Sequence, residues 1–540
     1  MSKANGLPTG WAWSNMVNAC TKIQDGTHFS PDKEKQLPAG KYPYVTAKNV
    51  RPWGLDLGDI AYLSEVDHRS IYRRCDPAQG DVLLVKDGVN AGDAAINSFE
   101  GEMSLLSSVC MLRPHKELLL SQFLRYFLLS PQGYRWLTGQ MTGTAIKRII
   151  LQRIREAPVP IAPLREQRRI VAKIEELFSD LDAGVAALRR AKANLKRYRA
   201  AALKAAVEGK LTEQWRDEHS AIEPASKLLE RILAERRKKW EADQLAKLAA
   251  AGKEPPKNWR ARYVEPAPPD TVGVPDLPEG WCWVSMEQLV ERSEYGTSVK
   301  CDYRRSGIPV LRIPNIAGGE INLTDLKHAT KSLELNDGDE LLPGDMLMCR
   351  TNGSIALIGK AAVVRDTLGH RFSFASYLLR FRFYDAPILA SWIHLYVSST
   401  FGRRFIERNA ASSAGQHNIS LSLINRMPVP LAPRAERETI LANVDERLSV
   451  VSFVETAQTR QLIRASRLRQ SILKQAFEGK LVPQDPKDVP ASMILERIGI
   501  SHALETPNRN GRASTRPISA DKKSRTIPNT VTRQRRIRPG

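Results

Sequence analysis

Two motifs in this 540-residue chain come close to phosphate or nuclease chemistry, and each lacks a part. Gly353-Ser-Ile-Ala-Leu-Ile-Gly359-Lys360-Ala361 approaches a phosphate-binding loop. It has one residue too many and lacks the final Ser/Thr that holds Mg²⁺, so a turn leading into a strand is expected instead. A nuclease-like Glu-x-Lys occurs at Glu208-Gly209-Lys210 and again at Glu478-Gly479-Lys480. Both close long helix-like segments, where Gly is a stop residue and Lys complements the dipole, so helix caps are expected. Nothing matches the Asn/Asp-Pro-Pro-aromatic motif of adenine methyltransferases or a glycine-rich fingerprint for their methyl donor. The nine histidines show no metal-ligand spacing. The six cysteines (Cys20, Cys75, Cys110, Cys282, Cys301, Cys349) form no close pair, which suits reduced cytoplasmic thiols. The expectation is no catalytic residue, no metal and no cofactor bound by this chain.

Binding is the better prospect. The formal net charge is +22, and residues 501–540 carry ten Lys/Arg against Glu505 and Asp521, leaving +14 on the rest. A basic body favours a polyanion, most commonly nucleic acid. Reading a base sequence needs side chains that reach base edges, with phosphate contacts fixing register. Loops combining Gly with Lys, Arg, Asn, Gln, Thr or Ser are the candidates. In the first half these supply Gln24, Thr27, His28, Lys48, Asn49, Lys86, Asn90, Thr142, Thr144 and Lys147. In the second half they supply Thr297, Arg312, Asn315, Arg350, Thr351, Asn352, Ser413, Gln416 and His417. Lys86 and Arg350 follow matching Gly-Asp strands and head the set. Trp11, Trp13, Trp281 and Trp283 alternate at strand spacing and are expected to pack beneath the loops rather than stack on bases.

The elements that hold these loops come in two copies. Leu7-Pro-Thr-Gly-Trp-Ala-Trp13 returns as Leu277-Pro-Glu-Gly-Trp-Cys-Trp283. Pro158-Val-Pro-Ile-Ala-Pro163 returns as Pro428-Val-Pro-Leu-Ala-Pro433, and Glu208-Gly-Lys-Leu211 as Glu478-Gly-Lys-Leu481, all displaced by 270 residues. Gly80-Asp-Val-Leu83 and Asn49-Val50 echo at Gly344-Asp-Met-Leu347 and Asn315-Ile316, with offsets of 264 and 266. So long a period means two domains rather than a solenoid. Each body is expected to mix short strands (42–45, 82–85, 310–313, 346–348) with an aromatic helical stretch (118–137, 387–406).

After each Pro-Val-Pro anchor the pattern changes. Apolar or small residues recur at Ile170, Ile174, Leu177, Leu181, Gly184, Leu188, Ala191, Leu195, Tyr198, Ala202 and Ala205, with spacings of 4 and 3, a coiled-coil seam. The second copy runs Ile440, Val444, Val451, Val454, Ala465, Leu468 and Ile472, interrupted by Gln458 and Gln461. Residues 186–204 and 460–474 are basic without acids, whereas acids gather in the first halves, including Glu175, Glu176, Glu436 and Glu438. Antiparallel pairing sets basic against acidic. The expected fold is α+β: two tandem mixed bodies separated by two long helices in an antiparallel intramolecular coiled coil with pseudo-two-fold symmetry. Expected boundaries are 1–157 and 277–427 for the bodies, 158–211 and 428–482 for the helices. A linker with a charged helix occupies 212–276, and a basic disordered tail 483–540.

At these residues the chain resembles the specificity subunit of type I restriction–modification systems. The resemblance covers Leu7 to about Pro483 and rests on the duplicated Leu-Pro-x-Gly-Trp openings, Pro-Val-Pro-x-Ala-Pro anchors and Glu-Gly-Lys-Leu endings. The second anchor departs from it: Glu166-Gln167-Arg168 has Glu436-Arg437-Glu438 in its place. The resemblance implies that each body is a target recognition domain reading one half of a split sequence in double-stranded DNA. It implies that the helices set the gap and dock two methyltransferase subunits, with restriction/translocase subunits joining. S-adenosylmethionine, ATP and Mg²⁺ would then sit on those partners. Two other functions stay open on the residues: an autonomous methyltransferase or nuclease with divergent motifs, and a non-specific DNA-bridging coiled coil. No run of about 18 apolar residues suggests a membrane span, and Met1 to Trp13 lacks an apolar signal core, so a cytoplasmic protein is expected.

Overall fold

A computed structural model describes residues 6–499 apart from 30, 34–41, 144–146, 305–306, 332, 334–338 and 370. The chain divides into two compact units: residues 1–181 with 466 onward, and residues 182–465. The tail beyond 500 lies outside the described residues.

In the first unit the body is closed by its own ends. The opening strand Ala12–Asn15 pairs antiparallel with Pro158–Ile161, Ala12 opposite Ile161. Between them lies a four-stranded antiparallel sheet in the order Cys20–Asp25, Val109–Pro114, Val82–Val85, Ala94–Ile96. Val82–Val85 is buried throughout. Its alternate residues serve two cores: Val82 and Leu84 face Phe123, Leu124 and Phe127, and Leu83 and Val85 face Val45, Val50 and Met111. The aromatic stretch forms two helices, Ser121–Leu129 and Pro131–Gly139, broken at Ser130, whose hydroxyl caps the second at Gly133 N.

The second unit repeats this plan. Cys282–Ser285 pairs with Pro428–Leu431 in the same register, and the sheet runs Val290–Tyr295, Leu378–Phe383, Met346–Cys349, Ala361–Val363. One expected strand is shorter. It spans Pro309–Leu311, and Pro314, a good first-turn residue, starts the helix Ile313–Ile316. The Gly-Asp echo is a turn with a job in each copy. Asp81 caps Ala78 N and takes a two-pronged ion pair from Arg113; Asp345 caps Leu342 N and takes one from Arg382.

Two helices of 44 residues, Leu164–Val207 and Arg434–Phe477, run antiparallel. In the first unit Ile170, Val171 and Ile174 share a core with Ile472, Leu473, Ala476 and Phe477. In the second unit Leu203, Ala206 and Val207 share one with Ile440 and Val444, and Arg447 reaches Tyr198 Oη at 3.5 Å. Of the expected seam, Ile170, Ile174, Ile440, Val444, Val451, Ala465 and Ile472 are buried; Leu177, Leu181, Leu188, Leu195 and Val454 are half-buried. Leu468 is a correction, at 48% exposed. Arg469 takes its place, its guanidinium 4.6 Å over the Phe178 ring, because an arginine stem covers apolar surface while its charge stays wet. Gln458 interrupts the seam as a buried side chain whose Oε1 has no hydrogen-bond partner. Each helix stops at glycine, with Gly209 at φ +69° and Gly479 at φ +66°. Lys210 N and Lys480 N bond back to the Ala205 and Gln475 carbonyls, so Glu-Gly-Lys is a helix cap in both copies.

The boundary at 483 needs correcting. Ala491–Arg497 is a helix whose Ala491, Ile494 and Leu495 complete the first unit's core, with Ala491 N bonded to Gly10 O at 2.9 Å. The inter-repeat helix Ala225–Ala250 begins the same way in the second unit, Ala225 N bonding to Gly280 O at 2.8 Å. So a helix after each long helix seats on a Leu-Pro-x-Gly-Trp opening.

Candidate nucleic-acid interface

Thr27 and Lys86, and Thr297 and Arg350, follow strands of the four-stranded sheets, while Asn49 and Asn315 follow a neighbouring strand. The candidates divide into those that build the loops and those exposed on them. Thr27 and Thr297 are builders. Thr27 N bonds to Leu105 O and Ser107 N to Thr27 O; Thr297 N bonds to Phe374 O and Ser376 N to Thr297 O, each at 2.7–2.8 Å. The preceding Gly26 and Gly296 let the two backbones touch, since a Cβ at either would lie inside a neighbouring carbonyl oxygen, of Leu105 or Phe374. Gly26→Ala and Gly296→Ala are each expected to destabilise their own unit by at least about 3 kcal/mol, the upper range of overpacking. Denaturant unfolding of the full chain measures it, and an unchanged midpoint contradicts the clamp.

Asn49 and Asn315 are builders too, although they were candidates for base contact. Asn49 Oδ1 accepts from Thr46 N and its Nδ2 donates to Asp56 O, seven residues on. Asn315 Oδ1 accepts from Arg312 N and its Nδ2 donates to Asn322 O, again seven on. Both are buried. Arg312 is engaged as well, donating to Asp325 O and Oδ2 at 2.9 Å. These three side chains shape a turn and are occupied by it.

Lys86 and Arg350 do correspond. Lys86 N bonds to Ser108 O and Ile149 N to Lys86 O; Arg350 N bonds to Tyr377 O and Ile419 N to Arg350 O. Their surroundings differ. Lys86 is buried, 3.5 Å from Asp25 Oδ2, whose other neighbours are Arg74 and His28. At the position of Asp25 the second body has Tyr295, and Arg350 lies 4.7 Å over its ring. One backbone site thus carries an ion pair in one body and a cation–π contact in the other.

Beyond it a small flap projects. In the second body Thr351–Asn352, Gln416–Asn418 and Ala411–Ser413 form a three-stranded sheet. Ser413 and Gln416 are exposed; Thr351, Asn352 and His417 are half-buried. The first body keeps a trace of this flap, bridging Asp87 to Arg148 and Thr142 to Arg148. Thr142, Lys147 and Arg148 are exposed, Asn90 turns the adjoining loop, and Thr144 lies outside the described residues. Elsewhere Lys48 pairs with exposed Asp59, Gln24 bonds to Asp25, and His28 is exposed beside Asp25. Arg74 and Arg148 went unmarked in the sequence because each meets its partner across 49 and 61 residues of chain. Trp11 and Trp281 are buried core residues as expected, edge-on to Phe123 and Trp392.

One cluster elsewhere resembles catalytic machinery. Ser104 Oγ lies 2.9 Å from His68 Nδ1, and His68 Nε2 lies 3.1 Å from Glu102 Oε2. Ser104 and His68 are fully buried, with the Tyr42 ring stacked on the imidazole at 3.7 Å, which leaves no approach for a substrate. Among the described residues no group of three or more His, Cys, Asp and Glu could hold a metal, and no helix is long and apolar enough to cross a membrane.

Residues 21–187 match the family model of the type I restriction modification DNA specificity domain. The EcoKI specificity subunit of Escherichia coli (strain K12) is 23% identical over 521 residues, covering 94% of this chain and 99% of that one. The chain is a relative of the type I restriction–modification specificity subunits. The StySPI specificity subunit of Salmonella potsdam gives 23% identity over 526 residues, 94% of this chain and 98% of that one. A solved chain from work on complex assembly and conformational transition of the type I R-M system shares the fold. Its TM-score is 0.59 at 18% identity, over 88% of this chain and 99% of that one. The fold shared with that solved chain is, in this chain, two α+β bodies, each followed by a long helix.

Proposed function

We infer that this chain is the DNA-specificity subunit of a type I restriction–modification complex, each body reading one half of a split target. The carrying observation is one scaffold with two different edges. Backbone clamps and turns match residue for residue, while the side chains at the equivalent site change from the buried Lys86–Asp25 pair to Arg350 over the Tyr295 ring. A reader of two unlike half-sites needs that combination; a non-specific bridge gains nothing from it.

Methyl transfer and cleavage then belong to methyltransferase and restriction/translocase partners, which hold S-adenosylmethionine, ATP and Mg²⁺ in the cytoplasm. The outer face of the second long helix offers the methyltransferase an apolar surface, with Phe453 76% and Val450 61% exposed. Such exposed apolar groups on a helix already paired along its other side suit a partner.

Arg350→Ala tests the reading. In the assembled complex it is expected to weaken binding to the cognate duplex by about 1–3 kcal/mol, with relaxed preference confined to one half-site. Competition binding with duplexes altered in one half at a time measures it. Equal loss at both halves contradicts the assignment, and turnover by the pure chain with DNA, Mg²⁺ and methyl donor contradicts a recognition role.

A further inference from the structure

Each body sets one guanidinium against the same backbone position, and the two arrive from different elements. Asp25 pairs with Cys110 and Tyr295 with Leu379, each one residue past the partner of Val85 or Cys349. These are the equivalent ends of the first sheet strand in the two bodies. In the second body Arg350 lies 4.7 Å over the Tyr295 ring. In the first, Arg74 comes from just past the helix Glu65–Tyr72. Its Nη2 donates to Asp25 Oδ1 at 3.2 Å, to the Asp25 carbonyl at 3.0 Å and to the Gly26 carbonyl. Asp25 is fixed in turn: its side chain is 6% exposed, with Lys86 Nζ 3.5 Å and His28 Nε2 3.3 Å from Oδ2.

This bond pattern leaves Arg74 with donors to spare. All its bonds among the described residues leave Nη2, so the Nε and Nη1 hydrogens are available to an acceptor. The side chain is 48% exposed and lines an open cleft with Thr27, His28, Phe29, Ser70 and Ile71. A guanidinium tied down before its ligand arrives loses little freedom on binding. Its charge is already met by a buried carboxylate, which weakens its pull on a phosphate and leaves direction as its main asset. Direction is what a base edge requires. In the major groove only guanine offers two acceptors side by side, O6 and N7.

We propose that Arg74 is a specificity-determining residue of the first body, donating to the O6/N7 edge of one guanine in the first half-site, with Asp25 holding it in place. This rests on the reading of the first body as a DNA reader. The test uses Arg74→Ala and Ser70→Trp in the full chain assembled with its partners. Competition binding is measured on the mapped target, on duplexes with each first-half base pair replaced in turn, and on a scrambled duplex of equal length. Arg74→Ala is expected to bind the target about 5- to 150-fold more weakly and to lose its preference at one G·C pair. Preference at the other first-half pairs, and throughout the second half, stays as in wild type. Ser70 is exposed on the cleft, so Ser70→Trp fills the space without removing any of the Arg74 bonds. It is expected to keep the wild-type unfolding midpoint and second-half preference while losing the same G·C preference. That variant decides the matter if Arg74→Ala fails to fold, and wild-type binding by it overturns the proposal. So does a first half-site without a G·C pair, or an Arg74→Ala complex with every preference intact. An equal loss on target and scrambled duplexes makes Arg74 a phosphate contact and overturns it too. If wild type itself shows no preference in the first half, the reading of that body as a DNA reader is what fails.

Discussion

A hybrid chain with residues 7–157 replaced by the corresponding body of another specificity subunit is expected to recognise a new first half-site, keeping the second half and the gap. The geometry makes the exchange feasible. The body leaves and rejoins the scaffold on neighbouring strands, Ala12 opposite Ile161, as the second body does with Cys282 opposite Leu431. A graft therefore has to match two adjacent chain ends rather than two distant ones. Inside the body, the core that meets the long helices uses Trp11, Phe123 and Phe127. Several mismatched base pairs, at about 1–3 kcal/mol each, should reduce binding to the old half-site by at least about a thousandfold. The DNA selected by the hybrid complex from a random duplex pool measures it. A change in both halves, or in neither, contradicts modular reading.

The second large effect separates two carboxylates at equivalent positions. Glu436 is buried and fully engaged: Trp281 Nε1 donates to one oxygen at 2.8 Å, Thr212 Oγ1 to the other at 2.7 Å, and Arg216 pairs with it. This knot fastens the end of the first long helix to the start of the second. Glu436→Ala is expected to lose about 3–5 kcal/mol, because it strands a half-buried guanidinium. Glu166 is as deeply buried, but its Oε1 has no partner. Burial, reinforced by Asp488, raises its pKa above the ordinary 4.5 despite opposing contacts from Trp11, Gln484 and Arg169. The folded state thus holds this proton more tightly than the unfolded state. Its contribution is favourable at low pH and is lost as pH climbs through the raised value. Glu166→Gln should therefore match wild type near pH 4 and exceed it in stability at neutral pH. Unfolding midpoints of both variants across pH decide this; equal losses at neutral pH contradict it.

The plan of the molecule was legible because its fixed ends do backbone work. The Gly-Trp openings, Pro-Val-Pro strands and Gly helix stops recur at constant offset since each is a strand start, a strand or a cap that both copies need. The roles of individual loop residues were less legible. Asn49 and Asn315, and Thr27 and Thr297, stand out in the sequence as polar residues of Gly-bearing loops, and in the structure each pair builds a shared turn or clamp. The proposed reading turns on positions that differ between the bodies, such as Asp25 and Tyr295, and nothing local marks them. Arg74 and Arg148 were hidden for another reason: a side-chain hydrogen bond to Asp25 and a bridge to Asp87 join each to a residue tens of positions away. The seam failed at Gly184, Tyr198 and Leu468, which are exposed; beside Leu468 an arginine stem packs inward instead. Burial of the helix after 490 was masked by Pro483, Pro486 and Pro490 before it and by the basic tail that follows.

The most direct test is a map of methylated adenines in the host genome with the gene for this chain intact and deleted. A motif of two short specified segments separated by an unspecified gap should be methylated in the first genome and unmodified in the second. Identical maps, or loss of a single uninterrupted motif, would contradict two bodies on one chain each reading half a site.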